Sequence, residues 1–197
     1  MKGQTMDQAA ADKKPSAVLK EEHRLIERVL AVLERLVLRM ERGDGPDTEA
    51  LGRCVEFFRL FADACHHAKE EDLLFPVLES RGIPREGGPI GVMLYEHSQA
   101  RSLTRLMDKA LEAIKEGDAS AKDRFAFAAR QYASLLGNHI HKEDNILYVM
   151  GDRVMTDADQ SSLCRQFCEA GCRKFGGKRR EELEAIAADL EMRWPGA

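Results

Sequence analysis

Cys65–Pro76 reads CHHAKEEDLLFP, and a second stretch, His139–Tyr148, reads HIHKEDNILY. In the first stretch His66 is followed four residues later by Glu70, and the second stretch repeats this spacing. In an α-helix the spacing places imidazole and carboxylate on one face, one turn apart. A buried carboxylate without a partner is energetically costly. Two such pairs inside a helical protein therefore predict a bound metal ion.

The chain contains an internal repeat around these two stretches. A lone Glu-His dipeptide precedes each of them, ending at His23 and at His97. His23 and His66 are 43 residues apart, and His97 and His139 are 42 residues apart. Repetition at a nearly constant distance predicts two similar helical hairpins that pack face to face, with a pseudo-twofold site between them.

Composition limits the class of protein. With 197 residues the chain is long enough for one domain, and 32% charged with 6% aromatic residues favours an all-helical protein. The net charge of −4 argues against a nucleic-acid partner, and no apolar run reaches the length of a membrane span. Residues 1–14 lack the apolar core of a signal peptide. Five cysteines in no disulfide-like layout favour reduced thiols, so we expect a cytoplasmic protein.

Hydrophobic periodicity predicts an all-α fold in three parts. A disordered tail is expected over residues 1–15, four bundle helices over 16–151, and a C-terminal helical extension over 152–197. Clusters of Gly and Pro separate the bundle helices. We expect the extension to pack across the bundle or against a second copy of the chain, which leaves a homodimer as an open alternative.

Histidines replace apolar residues on the inward seams of these helices. In the second helix the seam carries His66 and Glu70, but the neighbouring row of side chains carries His67 and Glu71. Periodicity alone does not decide which of these two rows faces inward. Asp144 lies off the seam of the fourth helix. The seam of the second helix is Leu51, Val55, Phe58, Ala62, His66, Glu70, Leu73 and Val77, and that of the fourth is Phe125, Ala129, Tyr132, Leu136, His139, Glu143, Ile146 and Met150.

Four imidazoles and two carboxylates form the predicted inward set. Such nitrogen and oxygen donors suit iron, manganese or zinc. One His on an apolar seam is more often a core residue than a ligand, but four on four seams favour a metal site. His67, about 100° round the helix from His66, is either an outer partner or an additional ligand. His141, about 200° from His139, is expected to be exposed. The predicted metal ligands are His23, His66, Glu70, His97, His139 and Glu143.

These motifs resemble the hemerythrin-like family of HHE cation-binding domains, in its bacterial single-domain form. The resemblance covers about residues 16–151 and implies an up-down four-helix bundle around two iron ions bridged by oxygen. It also implies that the first ligand pair is His66 with Glu70. The matching pieces are Glu22-His23-Arg24, His66–Glu71 with Leu74-Phe75-Pro76, Gly88–Gly91 with Glu96-His97, and His139-Ile140 with Glu143-Asp144.

The sequence departs from the oxygen-carrying hemerythrins at two positions. Those proteins have a further His four residues after the third-helix His, where this chain has Arg101. The departure leaves one iron with a spare position or a different ligand, for which His67 is a candidate. We expect Arg101 to face solvent or to pair with a nearby carboxylate. The carriers also use an Asp that would correspond to Asp144, whereas we assign the ligand to Glu143, which lies on the seam.

The favoured function is a non-haem di-iron protein that binds oxygen, nitric oxide or peroxide for sensing or scavenging. The alternatives are a di-iron enzyme with peroxidase-like or nitric-oxide-handling activity, and an iron donor for iron–sulfur cluster repair; whether the protein is an enzyme stays open. Cys164, Cys168 and Cys172 recur every four residues. Without a Cys-x-x-Cys spacing, we expect free thiols that behave as small apolar residues.

Overall fold

A computed structural model describes residues 13–196, in which helices alternate with short loops and no strand occurs. Segments of π-helix interrupt two of the helices. The elements are α1 (Pro15–Glu41), α2 (Thr48–Phe57), π1 (Phe58–His67), π2 (Glu70–Leu74), α3 (Phe75–Ser80), α4 (Pro89–Lys115), α5 (Ala121–Lys142), π3 (Glu143–Leu147), α6 (Tyr148–Val154), α7 (Asp157–Gly171) and α8 (Arg180–Arg193).

The helical backbone is continuous from α2 to α3 and again from α5 to α6. The bundle therefore consists of four long rods, which in chain order are α1, α2 to α3, α4 and α5 to α6. Short loops join successive rods, which places neighbouring rods antiparallel. The predicted all-α, up-down four-helix bundle with additional C-terminal helices is confirmed. The predicted N-terminal tail falls mainly on residues 1–12, which lie outside the described residues, and α1 begins at Pro15.

The apolar core is divided into two clusters by a polar layer. In α1 the smaller cluster contains Leu19 and the larger one begins at Ile26, with His23 between them. The other three rods are divided between the same two clusters, and in the second and fourth rods, which run antiparallel to α1, the larger cluster comes first along the chain. The bundle therefore buries its ligand-type side chains between two apolar ends.

The predicted seams are correct up to the glutamates and wrong beyond them. After Glu70 the buried residue is Leu74 rather than Leu73. After Glu143, Leu147 is 1% exposed whereas the predicted Ile146 is 52% exposed. Both shifts begin where π2 and π3 begin, and a π-helical turn contains more residues than an α-helical turn. π2 and π3 therefore each move the inward face by one position.

The C-terminal helices lie against the bundle. Leu183 and Leu190 of α8 are fully buried in the larger cluster, and Phe167 of α7 joins the smaller one. Ion pairs from Arg28 to Glu191 and from Arg53 to Asp189 border the α8 contact. Within residues 13–196 no helix combines the length and apolar character that a membrane crossing requires.

Candidate metal centre

The polar layer brings all six predicted ligand residues together, each no more than 1% exposed. His67 lies in the same layer and is 2% exposed. These seven residues form two overlapping groups, in each of which one ligand atom per residue lies within 4.8 Å of the others. The first group is His23, His66, Glu70 and Glu143, and the second group is His67, Glu70, His97 and His139.

The two carboxylates lie between imidazoles of both groups. Glu70 Oε2 is 3.6 Å from His66 Nε2 and 3.4 Å from His97 Nε2. Glu143 Oε2 is 3.2 Å from both His23 Nε2 and His139 Nε2. Each carboxylate thus faces one imidazole of the first group and one of the second.

Four outer carboxylates orient the imidazoles. Each accepts a hydrogen bond from an Nδ1–H group, which leaves the Nε2 lone pair directed into the layer. A carboxylate in this role fixes the ring and strengthens it as a metal ligand. The pairs are His23 with Asp144 at 2.8 Å, His66 with Glu22 at 2.9 Å, His97 with Glu71 at 2.7 Å and His139 with Glu96 at 2.9 Å.

The internal repeat explains this outer arrangement. Glu22, which precedes His23 in the first rod, contacts His66 in the second rod. In the same way Glu96, which precedes His97 in the third rod, contacts His139 in the fourth. Asp144, which follows Glu143, contacts His23 in the first rod, and Glu71, which follows Glu70, contacts His97 in the third. Sequence reasoning missed this role, although the repeated Glu-His and Glu-acid dipeptides carried the signal. Asp144 is not a member of either group.

Several nitrogen and oxygen atoms that could ligate a metal make no hydrogen bond within the layer. Among the described residues, His66 Nε2, Glu70 Oε2 and Glu143 Oε1 are buried and make no hydrogen bond. His97 Nε2 and His139 Nε2 are 3.0 Å apart, although both rings direct their Nδ1–H toward carboxylates. Two lone pairs at that distance repel each other unless a proton or a cation lies between them. The donor set therefore fits a metal site.

Burial and neighbouring charges set the protonation of the layer. Burial lowers the pKa of His66 to about 4, and it lowers the pKa of His67 well below its ordinary value. Burial acts in the same direction on His139, but Glu143 and Glu96 outweigh it and raise that pKa to about 9. Burial and the nearby Glu143 carboxylate raise the pKa of Glu70. Without a cation, a proton on His139 therefore compensates part of the buried negative charge.

His67, the candidate for the ligand that is missing at position 101, lies in the buried layer. Its ring stacks on that of His97 with 3.8 Å between centroids, and it supplies a third imidazole to the second group. Arg101 pairs with Asp63 at 2.7 Å and with Glu71 at 2.8 Å, so the expected pairing with a carboxylate is correct. His141 is exposed, as predicted.

A tyrosine that sequence reasoning missed also reaches the layer. The hydroxyl of Tyr148 donates a hydrogen bond to Glu70 Oε1 at 2.5 Å. The cysteines lie elsewhere: Cys164 is buried, Cys168 and Cys172 are exposed, and neither group in the described chain contains a thiol.

Comparison with known proteins agrees with this geometry. The family model for the hemerythrin HHE cation binding domain matches residues 14–150. Uncharacterised proteins of Mycobacterium tuberculosis and Mycobacterium bovis are each 25% identical over 173 residues, which is 88% of this chain and 67% of theirs. The iron–sulfur cluster repair protein DnrN of Neisseria gonorrhoeae is 35% identical over 86 residues, or 42% of this chain and 54% of that protein.

The first prediction distinguishes the two adjacent acids of the fourth rod. Glu143→Ala should abolish most metal retention, because this carboxylate faces imidazoles of both groups. Asp144→Ala should weaken metal affinity only about 10- to 100-fold, since Asp144 acts through His23. Metal content by elemental analysis and helicity by circular dichroism measure both effects. A larger loss in the Asp144 variant would assign the ligand to Asp144.

The second prediction concerns His67, with the exposed His141 as its matched control. His67→Ala should lower metal affinity, because it removes an imidazole from the second group. His141→Ala makes the same chemical change on the surface and should leave affinity unchanged. Chelator competition measures both. Equal affinity in the two variants would exclude His67 as a ligand.

The third prediction follows from the protons held by the metal-free layer. Because the pKa of His139 is raised to about 9, this imidazole carries a proton at about pH 7 that a metal ion must displace. Loading the metal-free protein with ferrous iron in weak buffer should release protons, and the apparent affinity should rise with pH. An indicator dye measures the release, with an iron addition to buffer alone as the blank. Loading without acidification would contradict this charge balance.

Proposed function

The chain belongs to the hemerythrin HHE cation-binding domain family, and we propose that it is a non-haem di-iron protein that binds a small oxidising molecule. The ligand is oxygen, nitric oxide or peroxide, and the role is sensing or scavenging. The observation that carries the proposal is the pair of buried groups that share Glu70. Imidazole and carboxylate donors without thiolate suit iron, and paired sites of this kind occur in helical bundles.

The two groups could hold one metal ion each. His23 and His66 supply nitrogen to the first, while His67, His97 and His139 supply nitrogen to the second. Glu70 and Glu143 supply oxygen between them. When bound, two ferrous ions would supply electrons and an open coordination position to an oxidising ligand.

Burial supports a small ligand and a dry site. Every residue of the two groups is at most 2% exposed, so an incoming molecule has to pass between packed side chains. Diatomic molecules and peroxide are small enough for that passage, whereas a metabolite is not. Exclusion of water also strengthens the electrostatic interactions inside the layer.

The position of His67 changes one inference from the sequence. Arg101 stands where oxygen carriers have a histidine, which argued against reversible oxygen binding. His67 brings a third imidazole to the second group from another helix. The absence of a histidine at position 101 therefore no longer argues by itself against a stable oxygen adduct.

A second candidate function is donation of iron for the repair of iron–sulfur clusters. The similarity to DnrN supports it, because that relative is named for this activity. The matched region covers 54% of DnrN, so the similarity does not extend to the whole of that protein. Iron release to an acceptor, rather than turnover of a ligand, would be the defining property.

The fourth prediction tests the proposed function in two steps. Protein purified in air after growth in iron-rich medium should contain about two iron atoms per chain. Anaerobic ferrous protein mixed with oxygen in a stopped-flow spectrometer should then develop the absorption of a ferric, oxygen-bridged centre. Zinc alone in the purified protein would contradict the di-iron proposal.

The kinetics and one further assay separate the roles. Rapid oxidation favours sensing or scavenging, and turnover with peroxide or nitric oxide then identifies the substrate. An adduct that persists and releases oxygen under vacuum indicates reversible oxygen binding. Reconstitution of an iron-depleted cluster protein by the loaded chain, faster than by free iron at equal concentration, would favour the repair function.

A further inference from the structure

Two differences between the halves of the site concern side chains that reach the buried layer. The repeat aligns His66 with His139 and Glu70 with Glu143. In this alignment His67 corresponds to Ile140. Nine residues after the first histidine of each stretch, Phe75 corresponds to Tyr148. The first group is thus accompanied by a hydroxyl that has no counterpart in the other half.

The Tyr148 hydroxyl lies among the donor atoms of the first group. Besides its hydrogen bond to Glu70 Oε1, it is 3.4 Å from His23 Nε2 and 3.5 Å from Glu143 Oε2. The ring is 2% exposed and stacks on that of His23 at 5.6 Å with an interplanar angle of 10°. Packing therefore holds the hydroxyl next to three of the four residues of the group.

Phe75 shows that the fold does not need this hydroxyl for packing. Its ring is 1% exposed and stacks on that of His97, with 6.0 Å between centroids and an interplanar angle of 18°. An aromatic ring thus lies against a ligand-type imidazole in both halves. Burying a hydroxyl is unfavourable unless it is hydrogen-bonded. The extra oxygen in one half therefore indicates that the hydroxyl is there to form a hydrogen bond rather than to fill space.

We propose that Tyr148 is a specificity-determining residue that donates a hydrogen bond to a small anionic ligand bound at the first group. The inference deepens the proposed di-iron function and rests on it. Without the ligand the hydroxyl donates to Glu70, and with the ligand only the hydroxyl hydrogen has to turn.

The chemistry of the ligands makes the inference selective. Azide and peroxide-class anions are strong hydrogen-bond acceptors, and a bond to a charged partner is stronger than one to a neutral partner. Nitric oxide is neutral and accepts hydrogen bonds weakly. Tyr148 should therefore favour anionic ligands over nitric oxide, which assigns peroxide-class chemistry to this site more readily than nitric-oxide binding.

The fifth prediction compares Tyr148→Phe with Tyr132→Phe in the iron-loaded full chain. Tyr132 is also buried, but it packs on Phe58 in the larger apolar cluster, away from the layer. Tyr148→Phe should weaken azide binding to the ferric protein about tenfold, the loss of one hydrogen bond to a charged group. Tyr132→Phe should leave it unchanged. Nitric oxide binding to the ferrous protein should change by less than about twofold in both variants, since the hydrogen bond to a neutral ligand is weak.

The controls separate failure of this inference from failure of the proposed function. Wild-type protein without iron would overturn both. Unchanged azide affinity in iron-replete Tyr148→Phe would overturn the role of Tyr148 alone. A visible phenolate-to-iron absorption band that is present in the wild-type protein and absent from the variant would also overturn this role, because Tyr148 would then be a metal ligand.

A measurement on the wild-type protein covers the case in which Tyr148→Phe does not retain iron. The infrared band of bound azide should shift between H2O and D2O, because a donated hydrogen bond exchanges its proton. The same measurement on Tyr132→Phe should give the wild-type shift. A band at the same frequency in both solvents would show that no hydrogen bond reaches the ligand and would overturn the proposal.

Discussion

Burial of Glu70 and Glu143 between two apolar clusters is the constraint on which the rest of the structure depends. Both carboxylates are fully buried, and within the described chain neither contacts a lysine or an arginine. The outer carboxylates, by contrast, all have such a cation: Glu22 pairs with Lys69 and Arg180, Glu71 with Arg101, Glu96 with Lys142, and Asp144 with Arg24. An uncompensated buried charge is strongly destabilising. The inner pair is thus the part of an otherwise balanced network that protons or metal ions must neutralise.

The backbone adapts to this constraint where it is most severe. Glu70 and Glu143 are the first residues of π2 and π3, and π1 ends at His67. Such π segments inside α-helices occur often at functional sites. Here π2 and π3 each turn the inward face by one residue after the carboxylate, so that Leu74 and Leu147 cover the layer. The irregular turns reconcile ligand spacing with apolar packing in the same helix.

The sequence predicted the bundle and its inward residues because both follow from periodicity and repetition, except that the choice of His66 and Glu70 over His67 and Glu71 came from the family resemblance. His23 and His97 could be recognised since each replaces an apolar residue on a seam. The π segments could not be predicted, because periodicity assumes a constant number of residues per turn; Ile146 and Met150 were therefore placed inside and are exposed. His67 and Tyr148 could not be assigned either. Which atoms they reach depends on how four helices meet, and no spacing within one helix contains that information.

The repeat builds a nearly symmetric scaffold, and its departures make the two halves chemically different. His67 and Tyr148 each occur in one half only. The outer shell is also uneven: Arg180 of α8 covers Glu22, whose side chain is fully buried, whereas that of its counterpart Glu96 is 13% exposed. A dry carboxylate binds its histidine more firmly than one that competes with water. The hydrogen bond between Glu22 and His66 is thus better shielded from water than the one between Glu96 and His139, and Arg180 of α8 contributes to this difference. Symmetric duplication explains how two groups of ligand-type side chains arise, and the unpaired residues explain how the groups could differ in reactivity.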